Sequence, residues 1–290
     1  MVPRTTFMAA LLAVTGMAAA ADIENQPAQM MPLASKSLLL DVANAGSRFV
    51  AVGGRGNILA SVDGHQWAQA NVPTRATLTA VTFADAEHGW AVGHDAVILA
   101  TEDGGQNWTL QNFEPDLEKP FLDVMFLSPT RGFAIGAYSL FYETIDGGES
   151  WTEHDTPARD DEWHFNAIER LNNGTLVIVG ESGTVAVSRD DGETWESVPS
   201  PYAGSYFDAV AHGENGVLIF GLRGNAYRSD STDEIAWTKV NTGTGQTLSG
   251  GTVLPSGETV IVGLNGTVLQ SNDGGRSLER LPNRVGASLN

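Results

Sequence analysis

The chain has 290 residues, with 16 lysines and arginines set against 35 aspartates and glutamates for a formal net charge of −19. Such a surface repels phosphodiester and anionic lipid and excludes a nucleic-acid partner. It contains no cysteine, which excludes disulfides and lipid attachment at a cysteine and leaves stability to burial and hydrogen bonding. Glycine, at 33 residues, exceeds the roughly 7% average in the way a turn-rich all-β chain requires.

The amino terminus reads as a targeting segment. Met1-Val-Pro-Arg4 is followed by the apolar run Phe7 to Val14 and by Met17-Ala-Ala-Ala-Ala21. A charged start, a short apolar core and small residues at the end describe a secretory signal peptide, 1–21, with cleavage after Ala20 or Ala21. A membrane anchor needs about 20 apolar residues, and Thr5, Thr6 and Thr15 interrupt this one. Residues 22–36 form an extension, and no direct membrane insertion is expected after cleavage.

From residue 37 the chain repeats itself. A short apolar run ends in a glycine at Gly53, Gly93, Gly136, Gly180, Gly221 and Gly263, spaced 40, 43, 44, 41 and 42 residues apart. That period is the length of a four-stranded propeller blade. The second repeat shows the four strands: Leu78 to Phe83, Gly89 to Gly93, Val97 to Thr101 and Trp108 to Phe113, with counterparts opening at Leu38, Phe121, Phe165, Phe207 and Leu248. The predicted fold is an all-β, monomeric, single β-propeller over residues 37–283. Its repeats run at about 37–72, 78–113, 121–156, 164–200, 206–241 and 248–283. Six blades are favoured over seven. Residues 282–289 imitate the linker and opening strand at 73–78, so 284–290 is either a tail or the start of a further repeat.

Each repeat also carries a hairpin of the form Ser/Thr-x-Asp-x-Gly-x-Ser/Thr-Trp. The clean copies run from Thr101 to Trp108, Thr144 to Trp151 and Ser188 to Trp195, and the eroded ones start at Ser61, Ser229 and Ser271. Asp63, Asp103, Asp146, Asp190 and Asp273 can each fold a carboxylate over the turn and accept its backbone N–H groups. Gly105, Gly148 and Gly192 permit positive φ, while Trp67, Trp108, Trp151 and Trp195 supply apolar plates. One carboxylate beside a hydroxyl offers too few oxygens for calcium, so these boxes read as folding devices.

Propeller topology places the turns between strands two and three, and the linkers between blades, on one face, with the Asp boxes on the other. On this linker face the turn residues are Gly54-Arg55, His94-Asp95, Ala137-Tyr138, Glu181-Ser182, Leu222-Arg223 and Leu264-Asn265, joined by Arg75, Glu114, Asp116, Trp163, His164, Tyr202 and Tyr206. Arginine beside exposed aromatics favours protein contacts. The expected partner-binding set is therefore Arg55, His94, Tyr138, Glu181, Arg223, Asn265, Trp163, Tyr202 and Tyr206. Asp41, Asp123, Asn166 and Asp208 are expected near the axis, as bonds to backbone or as a carboxylate pair for glycoside hydrolysis. His94, His164 and His212 have no metal-ligand spacing, and no phosphate loop or nucleophile elbow occurs in the required context. No metal, cofactor or catalytic residue is expected.

The unit Val179-Gly-Glu-Ser-Gly-Thr-Val-Ala-Val-Ser-Arg-Asp-Asp-Gly-Glu-Thr-Trp195 and its cousin from Ile261 to Gly275 resemble the photosystem II assembly and stability factor family. The resemblance covers roughly residues 37–283. It implies a lumenal or periplasmic propeller without catalytic activity that binds a membrane protein or envelope complex. Sialidase-like glycoside hydrolases share the Asp box and are the alternative. Their chemistry requires an arginine triad and a tyrosine nucleophile with a glutamate neighbour, for which Tyr138 and Glu181 offer only partial candidates.

Overall fold

The structure, a computed structural model, describes residues 26–155, 162–283 and 286–289. The signal-peptide segment 1–21 lies outside them. Twenty-four strands form six four-stranded antiparallel sheets in a ring, a six-bladed propeller. Blade 1 comprises β1 (Leu39–Asn44), β2 (Phe49–Gly53), β3 (Ile58–Ser61) and β4 (Ala68–Gln69). Blade 2 is β5 (Leu78–Phe83), β6 (Gly89–Gly93), β7 (Ile98–Thr101) and β8 (Thr109–Asn112). Blade 3 follows with β9 (Phe121–Phe126), β10 (Gly132–Gly136), β11 (Phe141–Thr144) and β12 (Thr152–Glu153). Blade 4 is β13 (Phe165–Arg170), β14 (Leu176–Gly180), β15 (Val185–Ser188) and β16 (Glu196–Ser197). Blade 5 is β17 (Tyr206–His212), β18 (Gly216–Gly221), β19 (Ala226–Ser229) and β20 (Thr238–Val240), and blade 6 is β21 (Leu248–Val253), β22 (Thr259–Gly263), β23 (Thr267–Ser271) and β24 (Glu279–Arg280). Among the described residues the helices are three-residue 3-10 turns, and none is long and apolar enough to cross a membrane.

The second strands of blades 2 to 5 are apolar and buried throughout because both of their faces meet a neighbouring blade. Leu176-Val-Ile-Val179, for example, is fully buried. This is the continuous pattern of strands covered on two sides rather than the alternation of a half-solvated sheet. Side chains of one parity pack forward and the other parity backward. Val50, Val52 and Ile58 meet Leu78, Val81, Leu99 and Trp108 between blades 1 and 2. Trp90, Val92 and Ile98 meet Phe121 and Val124 between blades 2 and 3. Equivalent cores join blades 3 to 4, 4 to 5 and 5 to 6.

The periodic glycine has a sterically defined job. Its φ is near 180°, which any residue adopts, yet a methyl group on Gly53, Gly93, Gly136, Gly180, Gly221 or Gly263 would lie 2.0–2.3 Å from the carbonyl oxygen of the residue just before or opening the inner strand. At this point each inner strand also carries an extra residue: pairing jumps from Leu39 to Asp41, from Leu78 to Ala80, and likewise in every blade. The close approach and the bulge together let the turn sit on the linker.

The inner strands alternate in chemistry around the ring. After the bulge, blades 1, 3 and 5 place Asp41, Asp123 and Asp208, whereas blades 2, 4 and 6 place Ala80, Ala167 and Gly250. Each aspartate accepts the N–H of the following residue and the N–H of the next blade: Val81 at 2.8 Å for Asp41, Ile168 at 2.8 Å for Asp123 and Gly251 at 2.7 Å for Asp208. Between these staples the bulge residues complete the ring, with Thr79 Oγ1 donating to Phe121 O at 2.8 Å and Asn166 Nδ2 to Tyr206 O at 2.7 Å.

Candidate functional site

The Asp boxes fold as hairpin clasps. In the blade 4 hairpin Asp190 accepts from Ser188 Oγ (2.8 Å), Thr194 N (2.9 Å) and Thr194 Oγ1 (2.6 Å), while Ser188 Oγ accepts from Gly192 N at 2.8 Å. Asp146 and Asp273 repeat this set with Ser150 and Ser277, and Asp103 with Asn107. Asp63 accepts from His65 N and Gln66 N. These donors pull Asp146 and Asp190 down to about 2. Every carboxylate is committed to its own turn.

The tryptophans are less uniform than their spacing predicts. Trp108 and Trp195 are buried and donate Nε1–H to Gly105 O and Gly192 O, closing the hairpin. Trp151 is only half-buried, and its Nε1 reaches Gln111 Oε1 at 3.4 Å instead. Trp67 keeps the turn bond to Gly64 O but is half-buried.

On the linker face, six 3-10 turns follow the periodic glycines, and in each the middle residue adopts the left-handed conformation: Arg55 (φ 64), Asp95 (φ 60), Tyr138 (φ 53), Ser182 (φ 54), Arg223 (φ 58) and Asn265 (φ 55). A side chain there costs roughly 1–2 kcal/mol relative to its usual conformations. Glycine would avoid that cost, yet all six apices carry a side chain, and Arg55, Tyr138, Ser182, Arg223 and Asn265 are exposed. The apex of blade 2 is Asp95 and that of blade 4 is Ser182, so the expected His94 and Glu181 stand one residue before the tip. Glu181 faces His164 at 3.9 Å.

Two aromatic expectations need correcting. Tyr206 is fully buried, with its hydroxyl 2.8 Å from Ser200 Oγ and its ring edge-on to Tyr202 and Tyr227. Burial raises its phenol to about 12. Blade 5 begins at Tyr206 rather than Phe207, and a one-residue register change turns a strand residue from one face to the other. Tyr202 is half-buried and stacked on Tyr227. Trp163, at 39% exposure, and Tyr138, at 51%, remain on the surface, the latter beside Lys119 and His164.

Charge pairing separates the two faces. Among the described residues the arginine ion pairs, Arg131 with Glu143 and Glu193, Arg170 with Asp191, Arg189 with Glu196 and Asp233, and Arg228 and Arg276 with Asp230, lie toward the Asp-box face. There a cavity of about 780 Å³ reaches in to Asp208 and Glu169. Its buried Arg228 donates to Gly274 O and to His212 Nδ1, and His212 Nε2 bonds Ser229 O. On the linker face, Arg55, Arg75, Lys119 and Arg223 form no ion pair among the described residues. Arg75 Nε donates to Pro27 O, and Lys119 Nζ lies 3.4 Å from Tyr138 O. Arg55 and Arg75 share one cavity, and Arg223 shares another with Lys239. Asp95, Glu114, Asp116 and Glu118 sit over blades 2 and 3 with Lys119 among them, whereas Arg55 and Arg223 stand on the two blades that flank blade 6.

The axial carboxylates expected as a possible catalytic pair have their oxygens engaged by backbone N–H groups. Burial pushes Asp41, Asp123 and Asp208 upward, and for Asp123 the charges of Asp41 and Asp208 push in the same direction. Glu169 is raised to about 7 by burial and by Asp123.

Six repeats, five of them closed by an Asp-box clasp, set in four-stranded blades, define a β-propeller of the Asp-box repeat class. The family model described as photosynthesis system II assembly factor YCF48 matches residues 59–120 and 109–249, and the chain belongs to that family. It is 31% identical over 214 residues to the photosystem II assembly protein Ycf48 of Thermosynechococcus vestitus, covering 73% of this chain and 61% of that protein. It is 28% identical over 218 residues to the photosystem II assembly lipoprotein Ycf48 of a Synechococcus strain, covering 73% and 64%. The chain thus spans less than two thirds of the length of these relatives. Among solved structures it superposes on YCF48 bound to D1 peptide with a TM-score of 0.66, at 20% identity and 83% and 81% coverage. A GH74 xyloglucanase from Xanthomonas campestris, at TM-score 0.62 and 13% identity, covers 84% of this chain and 45% of that one and shares the fold alone.

Proposed function

We propose that this protein is a noncatalytic, exported scaffold, acting as a monomer in the periplasm or a lumen-like compartment. In this reading it binds a segment of a membrane protein or envelope complex through its linker face. The observation that carries the reading is the partition of cations: Arg55 and Arg223 stand on strained, exposed turn tips without an acidic neighbour in a chain of net charge −19. A guanidinium so placed is available to a carboxylate or carbonyl of another molecule, and its planar fork suits that task better than lysine. The assembly-factor names of the relatives, and the D1 peptide bound to one structural neighbour, support a protein ligand. The signal-peptide pattern of residues 1–21 and the lipoprotein name of one relative support export.

The test is affinity capture from envelope membranes. The Arg55→Ala, Arg223→Ala double variant should fold normally and lose about 1–2 kcal/mol of partner affinity. A variant of the Asp-box face, Arg276→Ala, should capture as the parent does. Equal capture by the double variant, or robust turnover of sialosides or aryl glycosides by the parent, overturns the reading.

A further inference from the structure

Two of the clasps are tied to the preceding blade through the same backbone carbonyl, by different chemistry. Between blades 2 and 3, Trp90 Nε1 donates to Gly147 O at 3.1 Å, and its indole stacks on Phe126. Between blades 5 and 6 the matching carbonyl, Gly274 O, accepts from Arg228 Nε at 2.8 Å. A neutral plate makes the first joint and a charged fork the second.

Arg228 is 6% exposed and His212 beside it 9%. Arg228 Nη2 lies 3.2 Å from His212 Nδ1 and pairs with Asp230, and His212 Nε2 lies 3.0 Å from Ser229 O. A carbonyl oxygen only accepts and a guanidinium only donates. His212 is therefore neutral, with its proton on Nε2 and its Nδ1 lone pair on Arg228. The ring is packed on Gly216, where a methyl group would lie 2.0 Å from Cε1, and beside Gly274 of the clasp. In that seat a proton on Nδ1 points at Arg228 Nη2.

We propose that His212 is a proton-operated latch on the joint between blades 5 and 6. Neutral, it seats Arg228 on the clasp carbonyl of blade 6. A proton on Nδ1 removes the acceptor and sets two cations face to face, so Arg228 turns wholly to Asp230, Gly274 O loses its donor, and the 271–278 hairpin parts from blade 5. The cavity of about 780 Å³ that His212, Arg228, Asp230 and Gly274 line then widens. The latch lies on the Asp-box face and is independent of the reading given to the linker face.

The charges around the ring set the direction of its response. Arg228 on β19 and Arg276 in the clasp oppose a further proton, Asp230 after β19 favours it, and Glu214 lies in the turn between β17 and β18. Asp273 is committed to Ser271 and Ser277 of its own clasp, while Glu169, Arg170 and Asp208 line the same cavity. Burial first, and then the charge of Arg228, hold the imidazole below its usual value of about 6.5. A base whose folded value is depressed contributes stability that is complete above about 6.5 and is lost as the pH falls through the folded value. That sense is opposite to the buried carboxylates, so the joint itself, not the melting temperature, reports the latch.

Because the chain has no cysteine, nitroxide pairs on introduced thiols measure the joint directly. Thr238→Cys on β20 with Asn272→Cys in the blade 6 clasp spans the joint of blades 5 and 6, and Thr109→Cys on β8 with Ile145→Cys spans the equivalent places of blades 2 and 3, all at exposed positions. At about pH 7.5 each pair should give a single distance by electron–electron resonance, and at about pH 5 the first pair alone should gain a second, longer one. His212→Gln keeps a neutral acceptor and donor and should abolish that response. Asp230→Asn removes the charge that favours the proton and should move the midpoint down by at least about 0.5 pH unit. No change with pH in the parent overturns the proposal, as does the same added distance in both pairs. So does a response that survives His212→Gln, which retains Glu169 and its titration at about 7. If His212→Gln itself opens the joint at about pH 7.5, Asp230→Asn decides, and an unmoved midpoint overturns the latch.

Discussion

At the scale of single residues, the linker face shows a conflict between stability and display. A non-glycine residue in the left-handed region brings its Cβ against the carbonyl that follows, and glycine has no such penalty. Arg55 and Arg223 are held there by a fixed turn whose next residue, Gly56 or Gly224, also has positive φ. Arg55→Gly should therefore raise the urea midpoint, equivalent to about 0.5–1 kcal/mol of added stability, while weakening membrane capture. A fall in stability at this site would show that the guanidinium holds the turn rather than projecting from it.

At the scale of elements, the box tryptophans test how much a repeated motif repeats its energetics. Trp195 is 6% exposed and edge-on to Phe141, with its N–H satisfied by Gly192 O. Trp151 is half-buried and bonded to a glutamine of the preceding blade. Trp195→Ala should cost about 3–5 kcal/mol and Trp151→Ala distinctly less, about 1–2 kcal/mol, in denaturant unfolding. Equal losses would mean that the sequence motif, not its burial, sets the contribution. The six blades were legible in sequence because glycine at a fixed period answers to a backbone contact that recurs in each of them. The clasps were legible because Asp, Ser/Thr and Gly at those offsets have one way to satisfy each other. Tyr206 was misplaced because the bulge lies beside it, and a strand whose start is uncertain by one residue has uncertain faces. The apex conformation escaped notice because glycine, its usual signal, is absent there.

At the scale of the whole molecule, the axis sets how stability responds to pH. Asp41, Asp123 and Asp208 converge on one channel with Glu169 beside them, and burial raises all four, Glu169 to about 7. A carboxyl whose affinity for protons is higher in the folded state contributes stability that is complete below its unfolded value near 4 and is lost as the pH climbs through the folded value. The clasp aspartates act in the opposite sense. With Asp146 and Asp190 at about 2, their contribution is intact above about 4 and disappears only as the pH falls toward 2. The two sets together place maximal stability on the acid side of neutrality, between about 4 and 7. The melting temperature should be higher at pH 5 than at pH 8 by roughly 4–8 °C if the axial group contributes on the order of 2 kcal/mol. Glu169→Gln removes the titration nearest neutrality without removing the side chain from its place near Ala211 N, so it should narrow that gap chiefly by raising stability at pH 8. A melting temperature that is flat or rises from pH 5 to pH 8 in the parent would mean that the axial carboxylates ionise without cost, and that channel water rather than protein surrounds them.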